Sequence, residues 1–220
     1  MLMTDFLQLL NDLDSQLLLA INGLHNPYFD TFMYAYSGKW IWIPMYAALV
    51  YVLFRNLSWR VALACLVGVA LTITFADQIG ASVIRPWVER LRPANLENPL
   101  SEYVHIVNGY RGGSYGFPSC HAANTFGLTF YLMFLIRRRG FTLFMCAWAL
   151  LTCYSRSYLG VHYPGDLLAG ALLGLCGAAL MYGLFRWLVG YRRPQHFKDL
   201  WVPMVTGGLT VAGMLVYAAF

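Results

Sequence analysis

Charge is scarce in this chain. Only 11% of its 220 residues are Asp, Glu, Lys or Arg, while 59% are apolar; soluble domains carry roughly a quarter charged residues. That shortage excludes an ordinary soluble domain. With 16% aromatics and no low-complexity tract, it also excludes a disordered linker or a coiled coil, both of which depend on charge. Among Cys65, Cys120, Cys146, Cys153 and Cys176 there is no Cys-x-x-Cys spacing. All but Cys120 sit inside apolar stretches and read as small packing residues rather than disulfide partners or metal ligands. No basic residue precedes Lys39, which argues against a cleaved signal peptide.

What the chain has is apolar length. Crossing about 30 Å of hydrocarbon takes roughly 20 helical residues, and six stretches approach that: Met33–Phe54, Val61–Ile84, His121–Ile136, Phe141–Tyr154, Asp166–Val189 and Val202–Phe220. Ahead of them, Thr4–Leu24 repeats Phe6, Leu9, Leu10, Leu13 and Leu17 at helical spacing, with Asp5, Asn11, Asp12 and Asp14 interrupting. This is the pattern of a helix lying in the interface, stopped by Asn26-Pro27. The expected fold is therefore all-α: an integral membrane bundle of six transmembrane helices with an N-terminal amphipathic interfacial helix over residues 1–30. Residues 1–220 form one membrane-embedded domain.

The net charge of +5 comes in short basic clusters between apolar segments, which speaks for a bilayer as partner and against nucleic acid. With six spans, Arg55, Arg60, Arg137, Arg138, Arg139, Arg186, Arg192, Arg193 and Lys198 fall on one side, which the positive-inside rule makes cytoplasmic. The opposite side receives the acidic N-terminal helix, a long loop from about Arg85 to Cys120, and a short loop over Ser155–Pro164. Arg85, Arg90, Arg92, Arg111 and Arg156 also lie there, against the rule, so they need another reason.

Three blocks concentrate the polar chemistry on that side. Arg85-x6-Arg92-Pro93 reads either as an interfacial basic patch or as an anion site. Pro118-Ser119-Cys120-His121 reads as a capped helix start or as backbone N–H groups presented to an anion. In Ser155-Arg156-x5-His162-x3-Asp166, Pro164 and Asp166 could simply begin a helix. Taken together, three guanidiniums can surround a phosphate with N–H donors that stay charged. Two histidines can then divide the work: a neutral one attacks phosphorus, and a protonated one releases the leaving oxygen.

The blocks resemble the signature of the type 2 phosphatidic acid phosphatase family, the lipid phosphate phosphatases: Lys-x6-Arg-Pro, Pro-Ser-Gly-His, and Ser-Arg-x5-His-x3-Asp. The resemblance implies that His162 is the nucleophile, Asp166 orients it and His121 serves as acid and then base. It also implies that Arg85, Arg92, Ser119, Arg156 and the backbone N–H of Cys120 bind the phosphate. No metal or other cofactor is then required, because the arginines do the work that metal ions do in other phosphoryl-transfer enzymes. The sequence departs from the family pattern twice. Arg85 stands for Lys, and Cys120 stands for Gly, where Cys suffices if only an N–H is needed.

The function so implied is hydrolysis of a phosphomonoester or diphosphate of a membrane lipid through a phosphohistidine, with the site facing the periplasm from a bacterial inner membrane. Undecaprenyl diphosphate, lipid A phosphate, phosphatidylglycerol phosphate and phosphatidic acid are the candidate substrates. The rival is a non-catalytic lipid-phosphate binder or transporter of the same fold. A vanadate-dependent haloperoxidase has a similar site but is soluble. Further expectations concern Asp77 and Gln78, which either support the arginines or join helices. Glycine-rich Asn108–Gly116 is either a mobile lid or a flexible approach, His105 is a surface histidine, and Tyr163 belongs to the interfacial aromatic belt.

Overall fold

The computed structural model describes residues 2–220, with side chains from Asp5 onward. Among the described residues there is no β-strand, only an isolated bridge between Leu91 and Tyr115. The fold is all-helical.

Helix α1 (Leu2–Asn22) is amphipathic as expected. Leu18 is fully buried, while Leu9, Leu10, Leu13 and Leu17 lie about half exposed along the other face. The helix packs on α7 and α8. Its last residue, Asn22, accepts from His105 N at 2.8 Å and donates to Tyr158 O at 2.7 Å and His105 O at 3.0 Å. One buried carboxamide thus satisfies three backbone groups from two other segments.

Asn26 caps α2 (Pro27–Tyr36) by accepting from Phe29 N, with Pro27 at the first helical position. Expected as one continuous span, Met33–Phe54 is broken. After α2, Ser37-Gly38-Lys39 interrupts the helix, a 3₁₀ turn covers Trp40–Trp42, and α3 (Ile43–Asn56) leaves at an angle of 69°. Hydropathy sees only the apolar run. At the break Ser37 is buried and its hydroxyl accepts from a neighbouring arginine, so that polar group meets protein.

Helix α4 (Trp59–Gln78) continues through a π-helical stretch, Ile79–Ile84, into α5 (Arg85–Val88). The unbroken rod of 30 residues is about 45 Å long, so Arg85 sits on a helix rather than in the loop expected to begin there. Ser119 caps α6 (Cys120–Ile136), and α7 covers Arg139–Tyr158. Ser155 and Arg156 therefore belong to the last turn of α7, and the connecting loop is shorter than Ser155–Pro164. The helix continues past its apolar stretch because Arg156, only 2% exposed, finds protein partners there. Helix α8 (Pro164–Val189) starts on a capping box in which the Asp166 carboxylate accepts from Tyr163 N, and it ends at Gly190 in the left-handed conformation. After it comes α9 (Trp201–Tyr217), which packs on α3.

Among the described residues two helices are long and apolar enough to cross a bilayer, Trp59–Val88 and Pro164–Val189, or three if the bent pair α2 and α3 counts as one span. Helices α6 and α9 are apolar but shorter. The central contact is between α6 and α8, made close by small residues. A side chain on Gly170 would collide with Ser119 O and Ala122, and one on Gly174 with Ala123 O and Gly127. Backbones approach this closely only where small residues recur at helical spacing. That approach sets the start of α6 beside the start of α8.

Candidate active site

All three sequence blocks meet at the end of the bundle where α6 and α8 begin and α5 and α7 finish. Ser119 N donates to Asp166 O at 2.9 Å, fastening the two helix starts together. From the loop after α5, Arg92 donates through Nη1 to Val161 O at 2.9 Å and to His162 Nε2 at 2.7 Å. Arg85 donates through Nη2 to Pro118 O at 3.1 Å and to Cys120 Sγ at 3.0 Å. Arg156 donates to Ser37 Oγ at 2.5 Å and to Tyr110 Oη at 3.0 Å. Arg85 and Arg92 are thus each held through one terminal nitrogen, and Arg156 through both.

The partners of His162 fix its tautomer. A guanidinium only donates, so Nε2 facing Arg92 carries the lone pair, and Nδ1 holds the proton and faces Asp166 Oδ2 at 3.4 Å. Burial holds this imidazole well below its ordinary pKa, and Arg92, Arg156 and Arg85 push it in the same direction. It is therefore neutral, with its lone pair on Nε2, where Arg92 donates. The same crowding lowers Arg92 to about 10, through burial first and then repulsion from Arg156 and Arg85. For the Tyr110 phenol burial acts upward, but Arg156 and Arg92 prevail and the net shift is down. Three cations clustered around a neutral histidine are what a multiply charged anion would relieve.

Their unused donors agree. Among the described residues, the Nε–H groups of Arg85, Arg92 and Arg156 are all buried without a hydrogen-bond partner, each at a cost of about 1–3 kcal/mol. Half-buried His121, the second residue of α6, stands at the polar end of a cavity of about 550 Å³ together with Lys39, Asp77 and Cys120. Apart from Asn124 and Thr125, the remainder is largely apolar, lined by residues such as Leu49 and Leu53 of α3, Leu66 and Ile73 of α4, and Leu128 and Leu132 of α6. Among the described residues no group of three or more His, Cys, Asp or Glu is arranged to hold a metal ion.

The model of one protein family, the PAP2 superfamily, matches residues 61–190. The chain belongs to the PAP2 superfamily. Its relatives include a lipid A 4'-phosphatase of Bacteroides thetaiotaomicron, 49% identical over 96% of this chain and 98% of the relative. Another lipid A 4'-phosphatase, from Porphyromonas gingivalis, is 33% identical over 84% of this chain and 80% of its own. The crystal structure of a transmembrane PAP2-type phosphatidylglycerolphosphate phosphatase from Bacillus subtilis shares the fold, with a TM-score of 0.61 at 24% identity, covering 83% of this chain and 89% of that one. With its apolar helices, this PAP2 chain is a membrane protein.

The structure brings the three blocks together and adds supports that their spacing does not announce. Arg90, which the charge pattern marks only as an arginine against the positive-inside rule, pairs with Asp166 at 2.9 Å and with Asp14 of α1 at 2.7 Å. Ser37 and Tyr110 hold Arg156. Tyr163 is not in an aromatic belt: it is buried, its hydroxyl accepts from Asn98, and Arg90 lies 3.9 Å over its ring. Nor is His105 a plain surface residue, since it is half-buried, stacks on His25 and bonds Asp30 at 2.8 Å. In the glycine-rich segment, Gly112 packs on Arg92 and Gly116 on Asp166 and His162, so this stretch forms a wall of the site. Asp77 accepts from Asn124, a contact between α4 and α6, and Gln78 accepts from Ser82 of its own rod. Cys120 opens α6 outside the positive-φ residues, so its side chain is accommodated without the strain that only glycine avoids.

Proposed function

We propose that this chain is a metal-independent membrane lipid phosphatase acting through a phosphohistidine on His162, with lipid A bearing a 4'-phosphate as its foremost substrate. The observation that carries the reading is the ring of three unmet guanidinium Nε–H donors around a neutral, oriented histidine. Relatives named for lipid A 4'-phosphatase activity rank that substrate above undecaprenyl diphosphate, phosphatidylglycerol phosphate and phosphatidic acid.

The phosphate anion settles among Arg85, Arg92, Arg156 and the helix start at Ser119 and Cys120. Arg92 transfers its hydrogen bond from His162 Nε2 to a phosphate oxygen, uncovering the lone pair. Nε2 attacks phosphorus as the bond to the lipid oxygen breaks, and protonated His121 gives that oxygen its proton, releasing the lipid alcohol. Asp166 stabilises the imidazolium through Nδ1–H, the role the acid plays in a serine-protease triad. Water then attacks the phosphohistidine, passing a proton to His121; inorganic phosphate leaves and the lone pair returns to Nε2. The phosphate charge itself favours a protonated His121 among so many cations.

In the bilayer, six crossings fit the chain when α2 and α3 count as one broken span, with α4 and α5, α6, α7, α8 and α9 as the others. Residues 1–220 then form one domain with α1 in the interface. The basic end, from Arg55 and Arg60 to Lys198, faces the cytoplasm, and the site faces the periplasm of a bacterial inner membrane. The lipid tail enters sideways into the apolar cavity, whose α3 and α4 walls pack mainly on other helices rather than on each other.

The test is phosphate release in detergent from the four lipid phosphates, by wild type and His162→Ala. Expected are release from lipid A 4'-phosphate, a loss of about 10³-fold or more in the variant, unchanged rates in EDTA, and inhibition by vanadate, which copies a five-coordinate phosphorus. Equal inertness of both proteins with lipid still bound would establish the non-catalytic binder instead.

A further inference from the structure

We propose that Arg90 is a positioning residue for the catalytic pair, and that α1 belongs to the catalytic assembly because its Asp14 holds Arg90 in place. The inference rests on the phosphatase reading of His162 and Asp166. It concerns residues outside the set that would touch phosphate.

Arg90 differs from the three arginines with buried, unmet Nε–H donors, because both of its terminal nitrogens are bonded to acidic or amide side chains. Nη1 meets Asp166 Oδ1 at 2.9 Å, and Nη2 meets Asp14 Oδ2 at 2.7 Å and Asn11 Oδ1 at 3.3 Å. Its flat face lies on the ring of Tyr163. What it does is divide the Asp166 carboxylate between two tasks: Oδ1 is taken by Arg90, which turns Oδ2 toward Tyr163 N at 3.1 Å and His162 Nδ1 at 3.4 Å. Without that fork the carboxylate is free to rotate, and the imidazole can adopt the wrong tautomer.

Asp14 anchors the fork from outside. Besides Arg90, it accepts from Gly165 N at 2.7 Å, inside the His162-x3-Asp166 block. A Cβ on Gly165 would fall 2.7 Å from Asp14 Oδ2, so the seat requires glycine. The side chains of Asp14 and Arg90 are 12% and 21% exposed, dry enough for a fork of this kind to count. On the same helix, Leu9, Leu10, Leu13 and Leu17 present a half-exposed apolar face of the kind that seats a helix in a lipid interface. One short path therefore runs from that face through Asp14, Arg90 and Asp166 to His162.

The experiment uses the full chain in lipid nanodiscs, comparing wild type with Arg90→Met, Arg90→Lys and Asp14→Asn. It measures kcat, KM, the pH profile, the melting temperature, and the His162 tautomer by ¹⁵N NMR. Expected for Arg90→Met is a fall of about 100-fold in kcat with KM within about threefold. The acid limb of the profile moves to higher pH because the carboxylate has lost its cation, and the Nδ1–H tautomer gives way to a mixture. Arg90→Lys recovers about tenfold of the loss, keeping charge without the fork. Asp14→Asn, which can still accept from Gly165, loses about three- to tenfold. The proposal is overturned if kcat, pH limb and tautomer stay at wild-type values in all three. It is equally overturned if activity and melting temperature fall together, with Lys no better than Met and the tautomer unmoved. An inert wild type whose tautomer still shifts in Arg90→Met would sink the phosphatase reading and keep the tie.

Discussion

Arginine occurs at both ends of this bundle, in two different conditions. At the end holding Arg55, Arg60, Arg137, Arg139, Arg186, Arg192 and Arg193, the side chains are exposed. Some of them bond exposed groups, as Arg55 does with Asp199 at 3.2 Å and Arg193 with Phe134 O at 3.1 Å. At the other end Arg92 and Arg156 are buried, crowded together and short of acceptors. Exposed cations are cheap, and their position carries topology; buried like charges are costly and persist where an anion compensates them. The residue type is the same, and burial separates the two uses.

The sharpest way to break this comparison is one truncation at each end. Arg156→Met should lower kcat/KM by about 10²–10³-fold through lost anion stabilisation, while Arg139→Met should leave it within about twofold; equal effects would erase the distinction. A smaller effect is expected from Gly116→Ala. Its new methyl would stand 2.9 Å from Asp166 Oδ2 and 3.2 Å from Arg92 Cγ, and about a tenfold loss of kcat with little change in KM is expected.

Arg85 and Cys120, the two departures from the family pattern, touch one another. Arg85→Lys and Cys120→Gly should each cost several-fold in kcat/KM, and the double variant should cost less than their product. Strict additivity in that double-mutant cycle would mean the pair is uncoupled. The smallest effect concerns stability. Buried neutral in the fold, His162 takes up a proton near about pH 6.5 once unfolded. Below that pH the unfolded chain binds more protons, so stability is full above it and is lost as pH falls. The melting temperature should drop between pH 7 and 5, and His162→Gln should flatten that slope.

Much of the site was legible because its residues are written in three short blocks whose spacing survives folding. His162 and Asp166 are four residues apart across the start of α8, and Ser119 and His121 flank the start of α6. What was hidden lies across long separations in sequence. Asp14 reaches Gly165, Ser37 reaches Arg156 and Arg90 reaches Asp166, and no local pattern announces such pairs. The break at Ser37-Gly38-Lys39 was masked by the apolar residues on either side, although a Ser-Gly-Lys triplet inside a would-be span is the available signal. Tyr163 was misplaced for a related reason: aromatics at span ends usually face the interface, and only the folded neighbours reveal that Arg90 lies over this one.

The glycines of α8 have a consequence for what the enzyme can change. Because Gly170 and Gly174 bring main chain against main chain, the gauge between the two imidazoles is set by backbones rather than by adjustable side chains. Widening it means prising two helices apart. With the lipid tail in the cavity as proposed, tolerance for bulkier lipids is tuned on the wall where α3 and α4 offer leucines and isoleucine that can be exchanged one at a time.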